Sequence, residues 1–124
     1  MGFCITRTKS FIAGAAIAKH LRVKLSTGKL AVAGLADNDI GTIDYAVFAD
    51  GEDAAVNLRS LQGTEIVIAG GEITLGAKVY TAADGKVSAT GAGTSYLRGI
   101  ALEAAAADGD IIEIMPLFTN TAES

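Results

Sequence analysis

The chain has one imidazole, His20, and one thiol, Cys4. A Cys–His nucleophile pair would need both of them. Both lie near the N-terminus, where chains are least tied down, so an exposed arm histidine is the expectation. A zinc site needs about four nitrogen or sulfur ligands, and these two are the only candidates. Asp37 and Asp39 hint at a calcium loop but lack its downstream ligands and bidentate Glu, so they are expected in a solvated turn. Asp50, Glu52 and Asp53 form an acidic cluster that could supply an acid and a base. Nothing in the sequence buries them to shift a pKa, and a hydrolase built on them ranks third among the readings of function. Gly28-Lys29 and Gly85-Lys86 imitate phosphate loops. Val23 and Tyr80 stand where the first Gly of a P-loop belongs, and Leu30 and Val87 follow instead of Ser or Thr. No catalytic residue, no metal and no cofactor is therefore expected.

Charge is divided along the 124 residues. Met1 to Lys29 holds six of the ten basic residues and no acid, while Leu30 onward holds four basic residues against all fourteen acids. An acidic body repels nucleic acid at long range, and the six basic residues are not interleaved with aromatics in the way nucleic-acid sites are. No nucleic-acid partner is expected. A basic segment seeks an acidic surface, either its own body or a partner. Arg7, Lys9, Phe11, Lys19 and Arg22 are the expected partner-binding residues of an arm over residues 1–19. That segment has two other readings. Phe11 to Ala18 is an apolar run after Arg7 and Lys9, but it is at the short end for a signal peptide and far too short to span a membrane. Met1-Gly2-Phe3-Cys4-Ile5-Thr6 fits a myristoylation pattern, with Cys4 placed for palmitoylation. The preferred reading is an extended arm or short helix that docks on the body or on a neighbouring subunit. No membrane partner is expected. A single Cys excludes an internal disulfide and suits a reducing compartment.

Holding such residues in place falls to a body of short strands. Leu21, Val23 and Leu25 alternate with Arg22, Lys24 and Ser26, which predicts a half-buried strand with one basic face. Leu30 to Ala33, Thr42 to Phe48, Thr64 to Ile68, Val79 to Thr81, Val87 to Ala89, Tyr96 to Leu102 and Ile111 to Leu117 read as further strands. Ala54 to Leu61 is ambiguous between strand and helix. Glu103 to Ala107 has helix composition but is cut short by Asp108-Gly109. The Asp-Gly pairs at 84–85 and 108–109 accept the backbone angles of tight hairpins. Ala49-Asp50-Gly51, Ala83-Asp84-Gly85 and Ala107-Asp108-Gly109 read as recurring turn chemistry rather than a repeat architecture. The expected fold is all-β: a small antiparallel β-sandwich or barrel, jelly-roll-like, over residues 20–118, with the arm before it and a flexible tail over residues 119–124.

From Gly76 to Leu117 the text resembles the capsid cement (head decoration) proteins of tailed bacteriophages. The likeness rests on Gly76-Ala77-Lys78-Val79-Tyr80, Gly85-Lys86-Val87, Gly99-Ile100-Ala101-Leu102-Glu103 and Gly109-Asp110-Ile111. It loosens between Leu25 and Ile73 and is absent before about Lys19. Some relatives carry a recombinase label, which the incomplete phosphate loops do not support. The resemblance implies a non-enzymatic virion protein on the outer capsid surface, made in the bacterial host cytoplasm. It would bridge neighbouring major capsid (coat) protein subunits and stabilise the head against internal DNA pressure. A homo-oligomer is expected, a trimer before a dimer, because a small sandwich must hide its sheet edges and virion sites have matching symmetry. The alternative function is a small virion-surface module for carbohydrate or host surface. Low aromatic content argues against it, with Tyr45, Tyr80 and Tyr96 the only tyrosines.

Overall fold

Runs of alternating Val, Ile and Leu, broken by glycine turns, build ten strands in the structure, a computed structural model that describes residues 8–58, 64–91 and 95–117. They are β1 (Thr8–Ile12), β2 (Arg22–Ser26), β3 (Lys29–Val32), β4 (Gly41–Ile43), β5 (Asp53–Leu58), β6 (Glu65–Ile68), β7 (Lys78–Thr81), β8 (Val87–Ser88), β9 (Leu97–Ala101) and β10 (Ile111–Pro116). All named pairings are antiparallel. The first five strands make one sheet in the order β1-β5-β4-β2-β3, and the last five make a second in the order β6-β10-β9-β7-β8. The all-β expectation holds. A jelly roll would alternate strands between its sheets, whereas here each sheet is completed before the next begins.

The two orders are the same order, and the match continues at the level of single residues. Phe11-Ile12-Ala13-Gly14 and Val67-Ile68-Ala69-Gly70 occupy equivalent places. The Gly14 N–H donates to Leu30 O and the Gly70 N–H to Val87 O. The Gly51 and Gly109 N–H groups donate to Ala13 O and Ala69 O, both at 2.8 Å. Isolated bridges join Ile17 to Val47 in the first half and Ile73 to Ala105 in the second. Lys29 pairs with Asp50 as Lys86 pairs with Asp108. The fold is thus a tandem structural duplication. Of the three Ala-Asp-Gly triplets, those at 49–51 and 107–109 are equivalent positions in two repeats, a repeat architecture where only turn chemistry was expected. Unequal loop lengths spread the sequence spacing and hid it.

Each repeat has its own apolar core. Ala13, Ile17, Val23, Leu30, Ile43, Val47, Ala54 and Val56 fill the first. Val67, Ile73, Val79, Val87, Ile112 and Ile114 are prominent in the second. Two glycines let strands approach closely. A Cβ at Gly41 would stand 2.1 Å from Asn57 O, and one at Gly99 2.4 Å from Met115 O. The β7–β8 turn has both central residues at positive φ, Asp84 at 60° and Gly85 at 75°, as a tight hairpin requires. Asp108-Gly109 instead closes a longer connection from β9 into β10.

Candidate functional site

Where the repeats meet, the contact is polar. Arg22 leaves the outer face of the first sheet and is completely buried, as is Arg98 from β9. The Arg22 Nε donates to Lys86 O at 2.9 Å, and its Nη2 donates to Ala82 O at 2.6 Å. One guanidinium of the first repeat therefore holds both ends of the β7–β8 turn of the second. It also donates to Gly34 O and Asp37 O within its own repeat. Asp39, buried too, accepts from Arg22 Nη1 at 3.1 Å and from Arg98 Nε at 3.1 and 3.2 Å. Arg98 Nη2 donates to the buried Glu65 carboxylate. Two guanidiniums and two carboxylates thus form a buried, charge-balanced chain across the junction. Burial pushes the Arg22 pKa down. Burial acts the same way on Arg98, but Asp39 and Glu65 outweigh it and raise the net value. The Thr81 hydroxyl donates to Leu35 O and accepts the Tyr96 N–H, a further link across the junction.

This arrangement accounts for much of the basic N-terminal charge. Arg22, expected on a partner-binding surface, is consumed internally and is out of reach of any partner in this fold. The basic face of β2 reads correctly from its alternation, but the second repeat buries its Arg22, while Lys24 stays partly exposed. Lys24 pairs with Asp37 at 2.9 Å, and Lys29 with Asp50 at 2.9 Å. Asp37, held by Lys24 and by the Gly34 N–H, has its pKa lowered. Asp37 and Asp39 were expected in a solvated turn. Asp39 is instead the centre of the ionic chain.

The segment expected as a free arm is part of the first repeat from Thr8 onward. Thr8–Ile12 pairs with β5, and Ala13 and Ile17 are buried. Lys9 is exposed, with its ammonium 5.6 Å from the Phe11 ring centroid. Phe11 is half-buried against the first core. Lys19 is exposed in the connection before β2. Arg7, Cys4 and the tail over residues 119–124 lie outside the described residues. His20 adopts a left-handed backbone, φ 68°, at the place equivalent to Gly76. Partial burial, then Lys19, lowers its pKa against an opposing pull from Asp44.

The remaining candidates are structural as placed. Asp50 carries the Lys29 ion pair, and the Glu52 carboxylate accepts the Phe48 N–H. Gly28-Lys29 and Gly85-Lys86 are hairpin turns. Among the described residues no group of three or more His, Cys, Asp or Glu is placed to hold a metal. Tyr45 and Phe48 stand exposed in the β4–β5 connection, while Tyr80 and Tyr96 are half-buried.

The profile of a protein family described as phage cement protein matches residues 6–116. Among solved structures, the chain is similar to the head fibre gp8.5 N base of bacteriophage phi29. Identity is 21% over 89% of this chain and 92% of that one, with a TM-score of 0.74, a likeness of fold. No curated protein sequence matches.

Proposed function

The chain belongs to the phage cement protein family and is a structural protein associated with the phage capsid, and from that premise we propose that it binds the outside of the assembled head and bridges neighbouring coat subunits. The observation that carries this reading is the family match across nearly the whole chain, both repeats included. The physical role is linkage. A ligand that binds only the assembled lattice stabilises it by mass action, and many copies add avidity. A body of two separately cored repeats, fixed by a buried ionic chain, transmits force between two contacts with little give. Lys9, Lys19 and Arg7 are the basic groups proposed for an acidic coat surface, now without Arg22. No enzymatic activity is proposed.

Mixing purified protein with expanded, undecorated heads tests this. Co-sedimentation should saturate at a lattice-defined ratio. Binding to free DNA or glycan with none to heads would overturn it. A carbohydrate- or host-binding role is the second reading, favoured by the exposed Tyr45 and Phe48 alone. Retention on a glycan array, lost on Tyr45→Ala, would support it.

A further inference from the structure

In each repeat an isolated antiparallel rung joins two connections: Ile17 to Val47 in the first, Ile73 to Ala105 in the second. Each rung is a reciprocal pair of backbone hydrogen bonds, both 3.0 Å in the first repeat and both 2.9 Å in the second. The rung residues are buried and their neighbours turn to the surface. Ala16 therefore stands opposite Phe48, and Ala18 opposite Ala46. In the second repeat Glu72 stands opposite Ala106, and Thr74 opposite Ala104. One more shared bond fixes the alignment: the Phe48 N–H donates to the Glu52 carboxylate as the Ala106 N–H donates to that of Asp110. One geometry thus carries two surface chemistries. The second repeat shows that the fold is content with Glu72, Thr74 and Ala106. The first has Ala16, Ala18 and a phenyl ring, Phe48, that is 80% exposed.

The result is an apolar groove of about 290 Å3, floored by small alanines over the rung and walled by Phe48. That is at the bottom of the roughly 300–1,000 Å3 range of small-molecule sites, so it suits a side chain or two. The backbone beside it is also available. Neighbours of a hydrogen-bonded rung turn their N–H and C=O groups away from the partner strand. Those of Ala16 and Ala18 make no hydrogen bond among the described residues. An extended chain can add there as a strand. Next in sequence comes Lys19, exposed and in no ion pair among the described residues. The acids of the β4–β5 connection are engaged elsewhere: Asp44 with the Asn57 amide, Asp50 with Lys29, Glu52 with the Phe48 N–H. The equivalent groove of the second repeat is lined by Glu72 and Asp110, and Leu75 replaces Lys19.

We infer that this groove of the first repeat is a coat contact, and that its occupant is an extended coat segment carrying an apolar side chain next to a carboxylate. The apolar side chain lies over Ala16 and Ala18 against the Phe48 ring. The segment's backbone bonds to the free edge at Ala16 and Ala18, and its carboxylate meets Lys19. Charge complementarity chooses the occupant: the unpaired cation at the mouth of the groove calls for an acid. It also chooses the repeat, because Glu72 and Asp110 would repel the same segment from the second groove. The inference rests on the head-binding reading and adds to it the surface and the chemistry of the partner.

Co-sedimentation of the full chain with expanded, undecorated heads tests it. Phe48→Ala and Ala16→Glu each give the first repeat the residue that the second already carries there, so both should keep their fold by circular dichroism. Each should weaken head binding roughly tenfold or more. Lys19→Glu, at an exposed position, should weaken it too and flatten its dependence on salt. Benzoylphenylalanine in place of Phe48 should photo-cross-link to a coat subunit. Should either swap unfold, Lys19→Glu and the cross-link carry the test. Wild type that binds heads, with all three variants binding equally well, would overturn the inference and leave head binding standing. Wild type that binds no heads would overturn the head-binding reading, and the inference with it. Cross-links to another copy alone would give the groove to self-association. Loss of glycan retention on Phe48→Ala, with head binding intact, would give it to a sugar. Either result would overturn the coat segment as occupant.

Discussion

Replacing Asp39 by Ala removes the carboxylate that both buried guanidiniums share. Arg22 and Arg98 are each 0% exposed, and each reaches an Asp39 oxygen at 3.1 Å. In the variant, Arg98 would keep Glu65, while Arg22 would keep carbonyl acceptors and the pull of Asp37 but lose its buried carboxylate partner. Leaving a buried charge without its partner costs about 3–5 kcal/mol. Domains of this size are stable by about 5–15 kcal/mol, so the loss is about a fifth of the total or more. The matching control is Asp50→Ala, which removes the exposed Lys29 pair and should cost about 0–1 kcal/mol. Urea denaturation of both variants at neutral pH, followed by circular dichroism, measures the difference. An Asp39→Ala midpoint no lower than that of Asp50→Ala would refute the ionic chain as what joins the repeats. A double-mutant cycle with Arg98→Ala should then show strong coupling, since the two side chains share one contact.

Deleting residues 1–18 removes β1 and the buried Ala13 and Ile17. The truncated protein should melt far below wild type or fail to fold, and an unchanged melting temperature would return the segment to a free arm. Gly99→Ala places a Cβ 2.4 Å from Met115 O and should cost about 1–3 kcal/mol or more in denaturant unfolding. Acid should destabilise the fold in two steps. His20 has a lowered pKa, so its neutral form is favoured on folding and stability falls as pH drops below about 6.5. Asp37 is also lowered, so its contribution is full above about pH 4 and is lost as pH falls through the folded value. Melting curves of His20→Gln and Asp37→Asn against pH would separate the two steps.

Eight of the ten strands were legible because alternation and turn residues mark them: Leu21-Arg22-Val23-Lys24 as β2, and Ile111 to Leu117 as β10. The ambiguous Ala54 to Leu61 resolves as β5 because Ala54 and Val56 face the first core on alternate positions. β1 was missed because its basic, mixed text looks like an arm, and only its pairing with β5 makes it a strand. The ionic chain was illegible for a related reason. Alternation tells which residues leave a sheet's core face, and it correctly put Arg22 on the other one. It says nothing of what lands there, and here a second sheet does. The repeat itself was the available signal. Phe11-Ile12-Ala13-Gly14 and Val67-Ile68-Ala69-Gly70, followed by Ile17 and Ile73, then Val23 and Val79, would have placed two equivalent sheets. It would also have raised the question of how they pack.

The most direct test of the central claim is a difference map between heads with and without the bound protein. The account predicts density on the outer surface, at one class of lattice site, touching at least two coat subunits. Density inside the shell, or contact with a single coat subunit only, would contradict it.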